Sequence, residues 1–261
     1  MNFLQSRVPL KLRTLPDVLD LSLLFCRRNA WPLAKLSLWT LLPMYLALLA
    51  LRYFAHFEWS SIWLLALIVG VMLEGVFVLN ASELLFADAP SIKKNLRRFF
   101  RRSWKLGLTL LLSRVLLLLY SCTLVLLPFG LMRTVCLHEI SLLEEATPVK
   151  ALGRAHRFSK GYGGRALLFS LALLTFRFAA IAGMEVLGQN LVEFVFQLGE
   201  PIASLWSTGG SPFALLGFFL AIPYLSVAHF LVYLDIRTRK EGWDIQLRFS
   251  AIAAARDEVA A

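Results

Sequence analysis

The chain has 261 residues, of which 58% are hydrophobic and 17% charged, with a mean hydropathy of +0.68 and a formal net charge of +10. A single soluble core of this size cannot bury so many apolar side chains, so the composition predicts a membrane protein and excludes an ordinary soluble domain. The three cysteines, Cys26, Cys122 and Cys136, have no CxxC spacing, and neither a disulfide framework nor a zinc site is expected.

Long apolar runs predict the membrane-spanning helices. A bilayer core takes about 20 apolar residues, and runs of that order occupy residues 36–54, 62–86, 106–127, 166–187 and 212–234. A shorter run, 131–143, contains Arg133, His138 and Glu139 and is interfacial or re-entrant by hydropathy alone. The N-terminal stretch lacks the pattern of a cleaved signal peptide, so the first spanning helix is expected to serve as the insertion signal.

The loop charges decide how the short fourth run is interpreted. Lys and Arg number six in residues 1–35, seven in 88–105, five in 144–165 and five in 235–261. Short basic loops stay in the cytoplasm, so all four regions should share a side, and an even number of crossings must separate each pair. The sequence therefore predicts six crossings in a bacterial cytoplasmic (inner) membrane, with both termini cytoplasmic and the fourth helix shielded by neighbouring helices.

Three basic segments resemble one another. The stretch "SIKKNLRRFFRRSWK", which begins at Ser91, aligns with "TPVKALGRAHRFSKG", which begins at Thr147, at an offset of 56 residues. A weaker copy is "PDVLDLSLLFCRRNAW", with Asp17 as its expected helix cap. We therefore predict an all-α polytopic protein, a single membrane domain of about six transmembrane helices. It is built from three repeats of an interfacial amphipathic helix plus a transmembrane hairpin (15–87, 88–143, 144–234), followed by a cytoplasmic tail, 235–261.

The basic segments are expected to contact anionic lipid headgroups. They lie between apolar spans, with Phe99, Phe100 and Trp104 at the boundary, and no nucleic-acid-binding fold accompanies the charge. Lipid is therefore the expected partner and nucleic acid is not. The candidate headgroup contacts are Lys93, Lys94, Arg97, Arg98, Arg101, Arg102, Lys105, Arg154 and Arg157.

Charged residues inside the apolar runs are the other candidates for function. They are Glu74, Arg114, Arg133, Glu139 and Arg177. Such charges either pair to lock helices together or line a substrate or proton path. At ~1.5 Å per residue from the cytoplasmic helix ends, Glu74 lies roughly 18 Å deep, Arg177 roughly 16 Å and Arg114 roughly 12 Å. Glu74 and Arg177 are therefore expected to pair if the second and fifth spans are neighbours.

No motif in the chain predicts a reaction. "HEISLLEE" begins like the zinc motif HExxH, but Leu142 replaces the second histidine. P-loop, GxSxG and GxGxxG patterns do not occur. No enzyme activity, catalytic residue, metal or cofactor is expected.

The segment from Tyr233 to Phe249 alternates charged and apolar residues directly after the last span. This pattern is typical of a stop-transfer anchor or of a docking strap for a cytoplasmic or membrane protein partner. The candidate docking residues are Asp235, Arg237, Arg239, Glu241, Trp243 and Asp244.

Three stretches carry a family resemblance: "DVLDLSLLFCRRNAWPLAKLSLWTLLP", the region containing "LLEEATPVKALGRAHRFSKG", and "YLDIRTRKEGWDIQLRF". In order and spacing they resemble the bacterial six-helix membrane domain that in some proteins precedes a glycerophosphodiester phosphodiesterase. The resemblance implies a fold and a topology. It implies no catalytic residue, because no soluble segment here is long enough for the ~250-residue phosphodiesterase barrel.

These observations lead to three functional hypotheses. The first is a non-enzymatic scaffold or accessory subunit that contacts anionic lipid through its basic helices and a partner through its C-terminal strap. The alternative is a small transporter or channel that uses the intramembrane charges. A lipid-modifying enzyme comes third, since clustered carboxylates or histidines at the interface are not evident.

Overall fold

The computed structural model of the chain describes residues 13–86, 92–122, 127–195, 197 and 204–242. Within these ranges the protein is helical and contains no strand, which confirms the predicted all-α class. The helices are α1 (Leu15–Arg28), α2 (Ala30–Phe54), α3 (Trp59–Phe86), α4 (Ile92–Ser121), α5 (Leu127–Thr134), α6 (Leu137–Leu143), α7 (Pro148–Ser159), α8 (Gly163–Asn190), α9 (Leu205–Thr208) and α10 (Pro212–Glu241). A π-helical turn, Leu191–Val195, extends α8.

Five of the described helices are long and apolar enough to cross a membrane, as expected of a multi-pass membrane protein. These segments are Ala30–Phe54, Trp59–Phe86, Lys93–Ser121, Gly163–Val195 and Pro212–Glu241. The predicted count of about six transmembrane helices differs from this at the fourth apolar run. The fourth run is divided into α5 and α6, and neither is long enough to cross a bilayer as a single straight helix.

Helices α5 and α6 nevertheless return along α4. Gly130 of α5 packs against Leu117 and Tyr120 near the end of α4. Arg102, near the start of α4, donates a hydrogen bond to the carbonyl oxygen of Leu142 at 2.8 Å. Since α4 rises about 27 Å between Arg102 and Tyr120, the two short helices bring the chain back to the end from which α4 started.

Most of α6 is shielded by protein, as the sequence predicts for this polar segment. Its buried residues are Leu137, Glu139, Ile140, Ser141 and Leu142. A membrane-crossing segment that carries polar groups is tolerated where protein rather than lipid surrounds it. Average hydropathy cannot detect this, because it measures the segment without its neighbours.

The interfacial helices differ from the predicted pattern in the middle repeat. Helix α1 is separate from α2, and α7 is separate from α8. The basic stretch at 92–105, however, is the first part of α4, which continues into the apolar run without a break. Gly107 lies two residues after Lys105, but an isolated glycine inside a helical pattern is tolerated at a cost of about 1 kcal/mol, and α4 continues through it.

The start of α1 corrects one further prediction, which concerned the identity of its N-cap residue. The cap of α1 is Thr14, whose side chain accepts a hydrogen bond from the Asp17 backbone, while Asp17 completes the capping box as its third helical residue. Asp17 is therefore not the cap residue itself. Thr147 precedes Pro148 at the start of α7, as predicted, and Ser91 lies outside the described residues.

The predicted alignment of the basic segments matches their buried positions. Ala151 and Ala155 of α7 are buried, and the residues 56 positions earlier, Asn95 and Phe99 of α4, are buried as well. A spacing of four residues places each pair on one face of its helix. The similarity between the two segments therefore includes the packed face as well as the charges.

The contacts divide the chain into two compact units, whose boundaries do not follow the three predicted repeats. Unit 1 comprises residues 1–29, 75–170 and 226–261, and unit 2 comprises residues 30–74 and 171–225. In unit 2, Gly217 of α10 allows close helix packing, because an added Cβ would lie 2.4 Å from the carbonyl oxygen of Ala180 in α8. Small residues commonly permit such approaches between membrane helices.

Candidate functional site

The basic regions of the chain come together in unit 1. The backbone N–H of Arg13 donates a hydrogen bond to the carboxylate of Asp235 at 3.2 Å. The guanidinium of Arg165 donates to the carbonyl oxygen of Arg13 at 2.8 Å. These contacts connect the first, third and fourth basic regions of the sequence.

Two ion pairs extend this assembly. Arg154 pairs with Glu241 at 2.8 Å, which again joins the third region to the fourth. Arg102 pairs with Glu145, which joins the second region to the third. All four basic regions therefore share one end of unit 1, as the positive-inside argument predicts. We call this end the basic end.

One face of α4 is exposed and changes character along the helix. Near the start its exposed residues are basic: Lys93, Lys94, Arg97, Arg101 and Lys105. Two exposed aromatic side chains, Phe100 at 71% and Trp104 at 65% exposure, alternate with Arg101 and Lys105. Farther along, the exposed large hydrophobic residues are Leu108, Leu111, Leu112, Val115, Leu118 and Leu119, and Arg114 is exposed among them. We call this surface the α4 stripe.

The order of residues in the α4 stripe matches the layers of a bilayer surface. Basic side chains suit the headgroup layer, aromatic rings suit the interface, and leucine and valine suit the hydrocarbon. Most of the candidate headgroup residues on α4 are therefore exposed on this stripe. Arg98, in contrast, is half-buried.

Arg102 and Arg154 are bound within the protein, unlike the other candidate headgroup contacts. Arg102 is held by Glu145 and by the carbonyl oxygen of Leu142. Burial lowers the pKa of Arg154, but hydrogen bonds and charge attraction from Glu144 and Glu241 outweigh it, so the pKa is raised overall. The guanidinium groups therefore connect helix ends. Arg157 is exposed on α7.

The described part of the predicted docking strap is also used internally. Residues 235–241 form the last turns of α10. Within these turns Arg239 pairs with Asp235 at 2.8 Å and Arg237 pairs with Glu241 at 3.1 Å. Each of these four candidate docking residues therefore has an ion-pair partner within α10. Trp243 and Asp244 lie outside the described residues.

Lys240 shows how the end of α10 holds α7 in place. Its ammonium donates hydrogen bonds to the carbonyl oxygens of Arg157 and Lys160, both at 2.6 Å, and lies 5.3 Å from the ring centroid of Tyr162. The final carbonyls of a helix have no partner within the helix, so a lysine there stabilises the helix end.

In unit 2, Glu74 of α3 forms an ion pair with Arg177 of α8. This confirms the pairing predicted from their depths. Glu74 is 5% exposed, and the guanidinium carbon of Arg177 also lies 5.1 Å from the ring centroid of Phe218. Arg177 is thus held between a carboxylate and an aromatic face, which favours a structural role for the pair.

The other intramembrane candidates have separate surroundings. Arg133 donates a hydrogen bond to the hydroxyl of Tyr120 and lies 5.5 Å from its ring centroid. Glu139 is 0% exposed in α6. Arg114 is exposed on α4, and within the described chain it makes no ion pair. The structure therefore does not bring these residues into one site.

Sequence reasoning missed a third buried carboxylate, Glu185 in α8. It is 1% exposed and accepts hydrogen bonds from the Ser211 hydroxyl and, at 2.7 Å, from the Leu205 backbone N–H. Glu185 therefore holds the segment before α10 against α8. The available signal was an acidic residue inside the predicted 166–187 span.

No group of three or more histidine, cysteine, aspartate or glutamate side chains in the described residues is arranged to hold a metal ion. Comparisons with protein-family models, with curated proteins and with solved structures find no match for this chain.

Proposed function

We propose that this protein is a non-enzymatic scaffold or accessory subunit of the bacterial cytoplasmic membrane that binds anionic lipid through the α4 stripe. Its basic end faces the cytoplasm, where anionic lipids give the leaflet a negative surface potential. The positive-inside rule supports this orientation and puts both termini on the cytoplasmic side. The proposal also includes a protein partner, which this subunit binds in the cytoplasm or in the membrane.

The observation that carries the proposal is the change in side-chain type along the α4 stripe. Its exposed residues are basic at the start, then alternate between basic and aromatic, and are mainly leucine and valine farther along. From Lys105 to Lys93 the helix rises about 18 Å, whereas the headgroup layer on one side of a bilayer is only about 5–7 Å thick. Lys105 and Arg101 therefore contact headgroups directly. Lys93 and Lys94 lie farther out, where salt screens the surface potential within about 8 Å.

A specific observation also favours the transporter alternative. The segment that returns along α4 is broken between α5 and α6, and Glu139 is fully buried beside the break. Broken helices with polar groups in a membrane-crossing segment are typical of transporter sites. Flux of protons or ions into proteoliposomes that Glu139→Gln abolishes would favour transport over a scaffold.

Lipid selectivity in reconstituted membranes tests the leading proposal. The purified protein is placed in nanodiscs with spin-labelled phosphatidylglycerol or spin-labelled phosphatidylcholine, and the fraction of motionally restricted label is measured. We expect phosphatidylglycerol to be preferred, with the preference decreasing as salt is added. Each nearby basic residue is worth about 1 kcal/mol, or about fivefold in local association.

Paired variants give the control. Arg101→Gln with Lys105→Gln should lower the selectivity several-fold, whereas Lys93→Gln with Lys94→Gln removes the same charge at a greater distance and should change it less. Equal effects of the two pairs would show that net charge alone matters. Unchanged selectivity in both pairs would contradict the proposed lipid contact.

A further inference from the structure

An open cavity lies at the basic end of unit 1, away from α4. Its volume is about 450 Å³, within the range of small-ligand sites. Three of its six lining residues are arginines. The lining consists of Arg13, Thr14, Leu15, Asp17, Arg165 and Arg239.

Two guanidinium groups meet at this cavity. Arg165 and Arg239 both donate hydrogen bonds to one acceptor, the carbonyl oxygen of Arg13. Two donors that share one acceptor lie within a few ångströms of each other, and like charges at that distance repel unless an anion is near. Asp235 compensates Arg239 through an ion pair at 2.8 Å.

Arg165 lacks this compensation. Among the residues that the structure describes, no carboxylate lies within ion-pair distance of Arg165. Asp17 also lines the cavity, but its carboxylate accepts the backbone N–H of Thr14 as part of the α1 cap. Counted over the described residues alone, the three arginines against Asp17 and Asp235 leave a formal surplus of one positive charge.

We propose that this cavity binds a phosphate group, with Arg165 as its principal ligand. Arginine suits this role because its planar guanidinium stays charged and can offer two parallel donors to phosphate oxygens. The three arginines come from the chain before α1, from α8 and from α10. A bound phosphate would therefore hold three parts of unit 1 together.

The phosphate can belong to a lipid headgroup or to a small soluble phosphate ester. A narrow crevice adjoins the cavity and shares Leu15 and Arg165 with it. Its other lining residues include Val18, Phe169 and Val232, all apolar. Because apolar side chains border the cavity at this point, the first methylene groups of an acyl chain would meet apolar surface there, which favours a lipid source.

This site is independent of the proposed lipid contact, since none of its residues lies on α4. Its test uses the purified full-length protein in a neutral detergent, with thermal unfolding followed as each probe is added. The probes are inorganic phosphate, sn-glycerol 1-phosphate, short-chain phosphatidylglycerol and, as the zwitterionic control, short-chain phosphatidylcholine. A ligand that binds only the folded state raises the melting temperature in proportion to its occupancy.

We expect phosphatidylglycerol or a soluble phosphate to stabilise the protein more than phosphatidylcholine does, because the choline ammonium offsets the charge of the phosphate group in phosphatidylcholine. Arg165→Gln should weaken the affinity about tenfold or more, because a charge-assisted hydrogen bond is lost, and Arg165→Lys should recover part of it. Lys35→Gln removes one positive charge from an exposed position on α2 and should leave the affinity within about twofold. Stabilisation by phosphatidylglycerol alone would identify the lipid as the source, and stabilisation by the soluble probes would identify a free phosphate.

Arg13→Gln provides a second variant if Arg165→Gln fails to fold, because it keeps the backbone carbonyl that organises the cavity. It should also weaken binding several-fold. The proposal is overturned if no phosphate probe stabilises the protein, or if both arginine variants bind the probes as well as the unaltered chain.

Discussion

The ion pair between Glu74 and Arg177 allows a quantitative test of whether the intramembrane charges are structural. The proposed changes are Glu74→Gln, Arg177→Gln and the double variant. Each single change leaves one charge in a protein environment that excludes water. The double change removes both charges together; Glu74→Gln keeps the length of its side chain, whereas Arg177→Gln shortens its side chain.

The expected magnitude follows from the burial of the pair. The side chain of Glu74 is 7% exposed and that of Arg177 is 18% exposed, so solvent screens little of the interaction. Removing one partner of such a pair costs about 3–5 kcal/mol because it leaves an uncompensated buried charge, so the double variant, which leaves none, should recover much of the loss. At about 2–4 °C per kcal/mol for a chain of this size, the lower figure predicts single-variant losses of about 6–12 °C in melting temperature.

The assay is thermal unfolding of all four proteins in the same detergent, with the coupling energy taken from the double-mutant cycle. Glu58→Gln serves as a control, because Glu58 is exposed and its loss should change stability by less than about 0.5 kcal/mol. Additive losses in the double variant would refute the pairing argument. Full stability in both single variants, accompanied by lost ion flux, would favour the transport hypothesis.

Three further predictions concern packing, reactivity and topology. Gly217→Ala should destabilise the protein by about 2 kcal/mol or more, because the added Cβ would meet the backbone of α8. Gly153→Ala, where nothing lies within 4 Å of the added Cβ, should stabilise α7 by up to about 1 kcal/mol in the same thermal assay. Burial raises the pKa of Cys26 to about 11, so its alkylation, followed by peptide mass spectrometry, should accelerate about tenfold per pH unit between about pH 8 and pH 10; a plateau near pH 9 would contradict this. In a variant with the native cysteines replaced, a cysteine at Ser60 should react with an impermeant periplasmic reagent and one at Arg97 should not; the reverse pattern would invert the proposed orientation.

The sequence by itself determined the class of the protein and the common side of its basic regions. Hydropathy reports how much apolar surface each segment must bury, and that quantity depends only on composition and length. Charge placement then required an even number of crossings between basic regions, which correctly indicated that the segment containing Glu139 returns. The pairing of Glu74 with Arg177 followed as well, because the position of a residue along a helix fixes its depth.

Only the tertiary structure decided which neighbour each charged side chain meets. Arg102 and Lys105 occur in the same basic stretch, yet Arg102 pairs with Glu145 and Lys105 is exposed. Asp235 and Arg239 are a second example. The sequence offers both as docking candidates, and in the structure both form hydrogen bonds with the backbone of Arg13. Helical periodicity gives the direction of a side chain relative to its own helix, whereas its partner depends on which helix packs there, and residues far apart in the chain determine that packing.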